Sequence, residues 1–369
     1  MNCKNGTLKN EAIQMKKFNI FFILILTGCS HLVPASDALE EAHIIDWHVH
    51  IAGLGFGNSG NFVNDEMRNN FRFKFFLNWM DVSEKELEEN GDQILLKKLN
   101  DKIAQSKYID QAIVLALDGV IDETSKTLDR NKTQVYVANE FVASQTANYP
   151  NLLFGASINP NRENSVALLE DVYRQGAVLI KWIPNIMHID PSDEKFIPFY
   201  KRMAELNIPL LTHTGMEKSF ANAKDEYADP RLLELPLKCG VTVIAAHIAT
   251  TGKSDGQDNF ERILSMFDEF TNLYTDISSL TQLNKLAYLA KALKHPGLAE
   301  RMIYGSDWPL QYFPLVSPWY HVNHIGIKNA WHVGRFKNKW DRDIKLKEAF
   351  GVPHTAFIRK LGILDISSE

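Results

Sequence analysis

Ile44-Ile45-Asp46-Trp47-His48-Val49-His50 is an apolar run that ends in two histidines spaced i, i+2. Residues two apart on a β-strand point to the same side, so both imidazoles leave one strand end together. Two neutral imidazoles held side by side supply half of a transition-metal site. Outward from this stretch one pattern repeats. Apolar runs at 44–51, 112–117, 152–158, 177–183, 209–212, 242–246, 272–277 and 301–304 alternate with helix-like stretches such as 131–148, 163–175, 193–206, 258–270 and 282–293. Gly176, Gly240 and Asn207 stand just before the next strand as helix stops, and Asp229-Pro230 reads as an N-cap with proline at the first helical position. Eight strands alternating with helices predict either a (β/α)8 barrel or a doubly wound sheet. The interval from Ile51 to Ala112 is the exception, far longer than an ordinary connection. It holds Gly53-Leu54-Gly55-Phe56-Gly57-Asn58 and the aromatic stretch 71–79. We read it as a long first βα loop over the active face, with a helix near 92–106; a small packing subdomain is the other reading.

Polar residues close several of the later runs. Lys181 lies in the fourth, His213 ends the fifth, His247 ends the sixth and Asp307 follows the eighth in Gly305-Ser306-Asp307-Trp308-Pro309. In a parallel barrel all C-terminal strand ends meet at one mouth, where active sites are built. A lone histidine at a strand end is ordinarily a hydrogen-bonded structural residue, and His188, His295 and His354 are read so. Four histidines and an aspartate at the same mouth point instead to a metal site. Asp46 and Asp276 are candidate orienting or pocket residues, with a structural role the alternative for each.

This combination resembles the amidohydrolase superfamily, in particular its amidohydrolase-2 branch of decarboxylases and lactone hydrolases. The resemblance runs from about Ile44 to the C-terminus and implies a TIM barrel with a long first βα loop. It implies that His48, His50, His213 and Asp307 hold one divalent ion, Zn²⁺ being the expected one, with a position open for water or substrate. A divalent ion lowers the pKa of water from 15.7 to roughly 7. By the same resemblance Asp307 takes the proton from that water and His247 polarises a substrate carbonyl or serves as a second acid or base. Lysine is a poor ligand at neutral pH because its ammonium has no lone pair. In binuclear relatives the fourth-strand lysine is carboxylated and bridges two ions, which here would recruit Lys181 and His247 as further ligands. One ion, with Lys181 left to bind substrate, is the expected count, and two with carboxylated Lys181 the alternative.

The expected function is hydrolysis of an ester, lactone or amide bond of a small substrate. Non-oxidative decarboxylation of an unsaturated or aromatic acid is the runner-up. Two further readings are a non-catalytic surface-anchored binding lipoprotein and a lactonase that works without metal. An aromatic-rich final loop (Trp308, Tyr312, Phe313, Trp319, Tyr320, Trp331) suits a flat substrate or simply caps the barrel, and Arg68, Arg72 and Lys74 are candidate cations for a substrate carboxylate. The resemblance also admits a homodimer.

Composition sets the remaining bounds. The chain has 369 residues, 45% hydrophobic and 23% charged, which is ordinary for a globular protein. A net charge of -5, from 40 Lys+Arg against 45 Asp+Glu, argues against a nucleic-acid partner. Met15-Lys16-Lys17 precedes an apolar run to Leu26 too short to span a bilayer, and then Thr27-Gly28-Cys29-Ser30. Leu26-Thr27-Gly28-Cys29 resembles a bacterial lipobox, in which the cysteine is acylated. We therefore expect a signal peptide at 1–28 (its start at Met15 or Met1), a linker at 29–41 after lipidated Cys29, and a barrel domain at 42–369. The expected location is outside the cytoplasm, lipid-anchored at the periplasmic face of the outer membrane. After processing Cys239 is the only thiol, so an intrachain disulfide is not expected.

Overall fold

The computed structural model describes residues 39–366, so the expected signal peptide and Cys29 lie outside the described residues. Leu39 is already buried in the core, ahead of the expected domain boundary at 42. Eight parallel strands form one sheet in sequence order: β1 (Ile44–His50), β2 (Ile109–Leu115), β3 (Leu152–Ala156), β4 (Leu179–Trp182), β5 (Leu210–Thr212), β6 (Val243–Ala245), β7 (Leu273–Asp276) and β8 (Met302–Ile303). Closure comes just past β8. Val49 bridges Trp308 in parallel, the Trp47 amide donates to the Tyr304 carbonyl at 3.2 Å, and the Asp307 amide donates to the His48 carbonyl at 2.9 Å. The fold is thus the (β/α)8 barrel and not the doubly wound sheet.

Each strand is followed by a helix: α1 (Gln93–Ile103), α2 (Asn139–Thr146), α3 (Ser165–Arg174), α4 (Ile197–Glu205), α5 (Glu234–Lys238), α6 (Asn259–Glu269), α7 (Tyr288–Ala292) and, behind β8, α8 (Lys339–Ala349). The expected stops hold: Asn207, Gly176 and Gly240 all take left-handed backbone, and Asp229 caps the turn leading into α5 by accepting from the Arg231 amide at 3.0 Å. Two expected helices are shorter than their hydrophobic pattern suggests. In 131–148 the β-favouring pair Val135–Tyr136 instead pairs antiparallel with Phe62–Val63. In 282–293 the left-handed Ala287 (φ 73°) separates a 3-10 turn, Leu283–Lys285, from α7.

The long first loop is ordered by one buried carboxylate. Asp92 accepts from the Leu54 and Gly55 amides at 3.1 and 3.0 Å, from the Ser59 hydroxyl at 2.5 Å and from the Asn61 amide side chain at 3.0 Å. A side chain at Gly53 would collide with it, since a Cβ there would stand 2.1 Å from Asp92 Oδ2. Asn61 in turn accepts from the Ala138 amide at 2.9 Å, so the first and second loops are joined on the mouth side.

Apolar side chains fill two regions. Ile45, Trp47, Ile113, Leu115, Leu179, Leu211, Ile244 and Ile303 form one cluster inside the barrel, below the polar mouth. The larger cluster packs the helices on the strands. Behind β8 charged side chains of the helix make the contact to the strand end by hydrogen bonds. Fully buried Lys347 on α8 donates to the Gly305 carbonyl at 2.9 Å and to Asp343 at 2.6 Å, and Asp343 also accepts from Tyr304 at 2.9 Å. Removing one member of a buried pair leaves an uncompensated charge, so Lys347→Met should lower the free energy of unfolding by about 3–5 kcal/mol. Chemical denaturation checks this, and an unchanged midpoint would show that the pair adds nothing.

Candidate functional site

Period-2 alternation explains how two of the predicted residues reach the mouth. Leu179 and Leu211 face the barrel interior, so Lys181 and His213, two residues on, face the same way one level higher. β1 needs a further device. Trp47 and its neighbour His48 both point inward, because the pairing register with β2 slips between Asp46 and Val49. The inward aim of His48 is fixed by its contact with Lys181 Nζ on β4, 3.0 Å from His48 Nε2, across the interior from β1. At β6 the backbone itself turns: His247, Ile248 and Ala249 all adopt left-handed φ (58°, 53° and 49°), as does Asp307 (61°). Such conformations cost free energy and cluster at functional sites.

The hydrogen bonds assign the imidazole protons. His48 Nδ1 stands 2.7 Å from Asp276 Oδ2, and a carboxylate can only accept, so Nδ1 carries the proton and Nε2 presents its lone pair to the mouth. Ser278 donates its hydroxyl proton to Asp276 Oδ1 at 2.5 Å, and therefore accepts from His247 Nδ1 at 2.8 Å. His247 Nε2 is thereby left with its lone pair 4.0 Å from Asp307 Oδ2. Ser279 donates to that same Asp307 oxygen.

Three donor atoms converge. His48 Nε2 and His50 Nε2 lie 2.9 Å apart, and Asp307 Oδ1 lies 3.7 and 3.6 Å from them. Two donors bonded to one ion at roughly 2.0–2.1 Å cannot be more than about 4.2 Å apart, and all three separations fall inside that limit. The His48 proton is committed to Asp276, so its Nε2 lone pair is free to face a cation held between it, His50 and Asp307. His213 Nε2 adds a buried nitrogen with no hydrogen-bond partner among the described residues, 3.9 Å from Glu217 and with its ring 5.5 Å from that of His247. It lies outside the ion-sized His48–His50–Asp307 group. A second ion-sized group, His48–His247–Asp276, is filled by the Ser278 hydroxyl and reads as a hydrogen-bond relay. The donor set fits a divalent metal.

The electrostatics agree with that fit. Burial, reinforced by the Lys181 charge, holds His48 well below the ordinary histidine range and brings His50 down to about 4. Burial also lowers His213 and places His247 well below its usual value. All four imidazoles are therefore neutral and able to donate at pH 7. Burial pushes Asp307 up, but the nearby His48, His50 and Lys285 outweigh it and the carboxyl ends below its usual range. Burial brings Lys181 down to about 8, against the pull of Asp276 and Asp307.

The family model described as Amidohydrolase matches residues 45–320. The chain belongs to the amidohydrolase family. Among solved structures, this amidohydrolase is similar to a TIM-barrel protein from Bordetella bronchiseptica at 17% identity, with 84% of this chain and 96% of that chain covered and a TM-score of 0.52. It also aligns with a Pseudomonas putida protein described as a 2-pyrone-4,6-dicarboxylic acid hydrolase (15% identity, 88% and 97% covered, TM-score 0.47). A third match is 5-carboxyvanillate decarboxylase from Sphingomonas paucimobilis (12% identity, 86% and 100% covered, TM-score 0.45). The first of these likenesses bears on the fold. The curated proteins contain no match.

The remaining expectations for this amidohydrolase divide clearly. Asp276 orients His48. Asp46 is structural: it accepts from the Ser306 amide at 2.9 Å and Trp340 Nε1 at 2.7 Å, and burial raises it to about 6. The final loop is split, with Trp308 buried and stacked on Trp340 at 4.4 Å while Phe313, Trp319 and Trp331 are exposed. The candidate cations for a substrate carboxylate have partners at the surface or are exposed. Arg68 is paired with Glu84 at 2.8 Å, Arg72 donates to the Lys218 carbonyl, and Lys74 is exposed. Lys285, Glu217, Ser278 and Ser279 were not singled out in the sequence, where nothing in their spacing marks them. Asp276→Asn replaces a carboxylate that can only accept with an amide that can also donate, so the His48 tautomer is no longer dictated and metal binding should weaken by about 10–100-fold. Competition against a chromophoric chelator measures this; an unchanged affinity would show that His48 is oriented without Asp276.

Proposed function

We propose that this amidohydrolase is a zinc-dependent hydrolase that cleaves an ester, lactone or amide bond of a small substrate. The observation that carries the reading is the convergence of His48 Nε2, His50 Nε2 and Asp307 Oδ1 within 3.7 Å, with His48 held in the metal-binding tautomer by Asp276. His48, His50 and Asp307 would hold the ion, with His213 as a fourth donor; three imidazoles and a carboxylate suit zinc. When bound, the ion would supply Lewis acidity and a water-derived nucleophile at neutral pH.

The protein's own groups account for the proton transfers. Asp307, ionised at neutral pH and steadied by Ser279, takes a proton from the attacking water and returns it to the leaving group. His247 presents a neutral Nε2 to the same space and serves as a second acid or base. Lys181 remains for the substrate in the one-ion form; in a two-ion form its carbamate would join His213 and His247 as ligands.

Elemental analysis of protein purified without chelators should give about one zinc per chain, and about two would transfer Lys181 to the metal. The double change His48→Ala with His50→Ala should abolish both metal and turnover. Asp307→Asn should lower kcat by about 10²–10⁴-fold. A panel of lactones, esters, amides and unsaturated or aromatic acids, assayed in heavy-oxygen water, then reads the reaction class. Label in the organic product supports hydrolysis, whereas release of CO₂ with no label in the organic product would replace this reading with decarboxylation.

We also propose that the chain is exported and acylated at Cys29, a reading supported by the order of Lys16-Lys17, the apolar run to Leu26, and Thr27-Gly28-Cys29. Labelling with a radioactive fatty acid should mark the wild type and not Cys29→Ser. Equal labelling of both would sink the idea.

A further inference from the structure

We propose that Lys285 is the cation that receives a carboxylate of the substrate, so that the enzyme acts on small organic anions. The inference deepens the hydrolase reading and rests on it for the reacting centre beside which the anion is placed.

Lys285 closes the 3-10 turn Leu283–Lys285 in the loop between β7 and α7, on the mouth side of the barrel. Three other polar side chains of this loop already serve the site: Ser278 sits on Asp276 and His247, Ser279 on Asp307, and Gln282 donates to Ser279 Oγ at 2.9 Å. The loop backbone is anchored to the final loop. Gln282 bridges Val316, the Leu283 amide donates to the Leu315 carbonyl at 2.8 Å, and the Lys285 amide donates to the Gln282 carbonyl at 2.9 Å. Lys285 therefore stands on a positioned turn, not on a loose surface segment.

The residue is only 7% exposed and among the described residues its ammonium has no hydrogen-bond or ion-pair partner, yet the nitrogen is not one of the polar atoms shut off from solvent, so the stem is buried and the charged tip meets the mouth. Two other buried lysines differ. Lys347 is held by Gly305 and Asp343, and Lys345 by Glu348 at 2.7 Å. A lysine whose stem is fixed by burial and whose unpaired tip alone faces the mouth is a position where an anion arriving from solution can be held. The charges that act on Lys285 are Asp307, Glu217 and Asp276, and it acts in turn on His213 and His247, which places it in the same polar mouth. Those carboxylates are committed: Asp276 to His48 and Ser278, Asp307 to Ser279, and Glu217 to the Ser219 amide at 2.6 Å. Two ammoniums and a divalent ion outweigh the three carboxylates by one positive charge. A carboxylate is the complement, small enough to reach a recessed ammonium and able to accept from it.

Calorimetry on the zinc-loaded full-length protein tests the assignment with matched probes: benzoate against benzamide, and acetate against acetamide. The wild type should favour at least one carboxylate over its amide by about 10–100-fold. Lys285→Met should erase that preference without changing amide affinity or zinc content, and Lys285→Arg should retain it. Lys285→Gln gives the same reading should the methionine variant fold poorly. Retention of the full preference by Lys285→Met or Lys285→Gln would overturn the proposal, as would a wild type that prefers none of the carboxylates. Repeating the titrations on zinc-free protein separates the two readings. Failure to bind zinc would remove the hydrolase reading while a Lys285-dependent preference survived, and the reverse outcome would remove only the anion site.

Discussion

The hydrogen bond from His48 Nδ1 to Asp276 Oδ2 is the constraint on which the site depends. It spans from β1 to β7, passing over β8, which lies between them where the barrel closes. Passage is open because the intervening residue is Gly305: a Cβ there would stand 3.1 Å from that of His48 and 3.4 Å from those of Asp276 and Ser278. The Gly305 carbonyl is held from behind by Lys347. A single missing side chain thus lets a carboxylate on one strand choose the tautomer of an imidazole two strands away. With that tautomer chosen, the His48 lone pair, the Lys181 ammonium and the His50 ring all have a fixed point to face.

Much of this was legible in the chain because the signals were periodic or terminal. Apolar runs at barrel spacing, helix stops at Gly176, Asn207 and Gly240, and polar residues at strand ends are each set by local geometry. The convergence of His48, His50 and Asp307 follows once the strands are parallel. The inward aim of His247 has a cause the sequence does not display, since alternation beyond Ile244 would turn it outward. Left-handed backbone over three successive residues supplies the turn, and none of them is glycine.

What stayed hidden lies in loops, where a side chain's direction depends on tertiary contacts and not on spacing. Lys285 sits inside what the hydrophobic pattern marks as one helix, and only the break at Ala287 turns it into a mouth residue. Arg68, Arg72 and Lys74 were named because they lie in the loop that covers the active face, but Glu84 and the Lys218 carbonyl take two of them at the surface. Serines are too common for Ser278 and Ser279 to stand out, although one sets the His247 tautomer and the other steadies Asp307.

The bond from Trp340 Nε1 to Asp46 joins residues 294 positions apart, and the Ser306 amide reaches the same carboxylate across 260. Contacts of such long range are slow to form because a large loop must close before any of them is gained. The converging donors are divided between the first strand and the end of the last, so no partly synthesised or half-assembled chain can gather them. The proposed metal site would therefore exist only after β1 and the end of the barrel have met, so any ion would bind to a chain already closed.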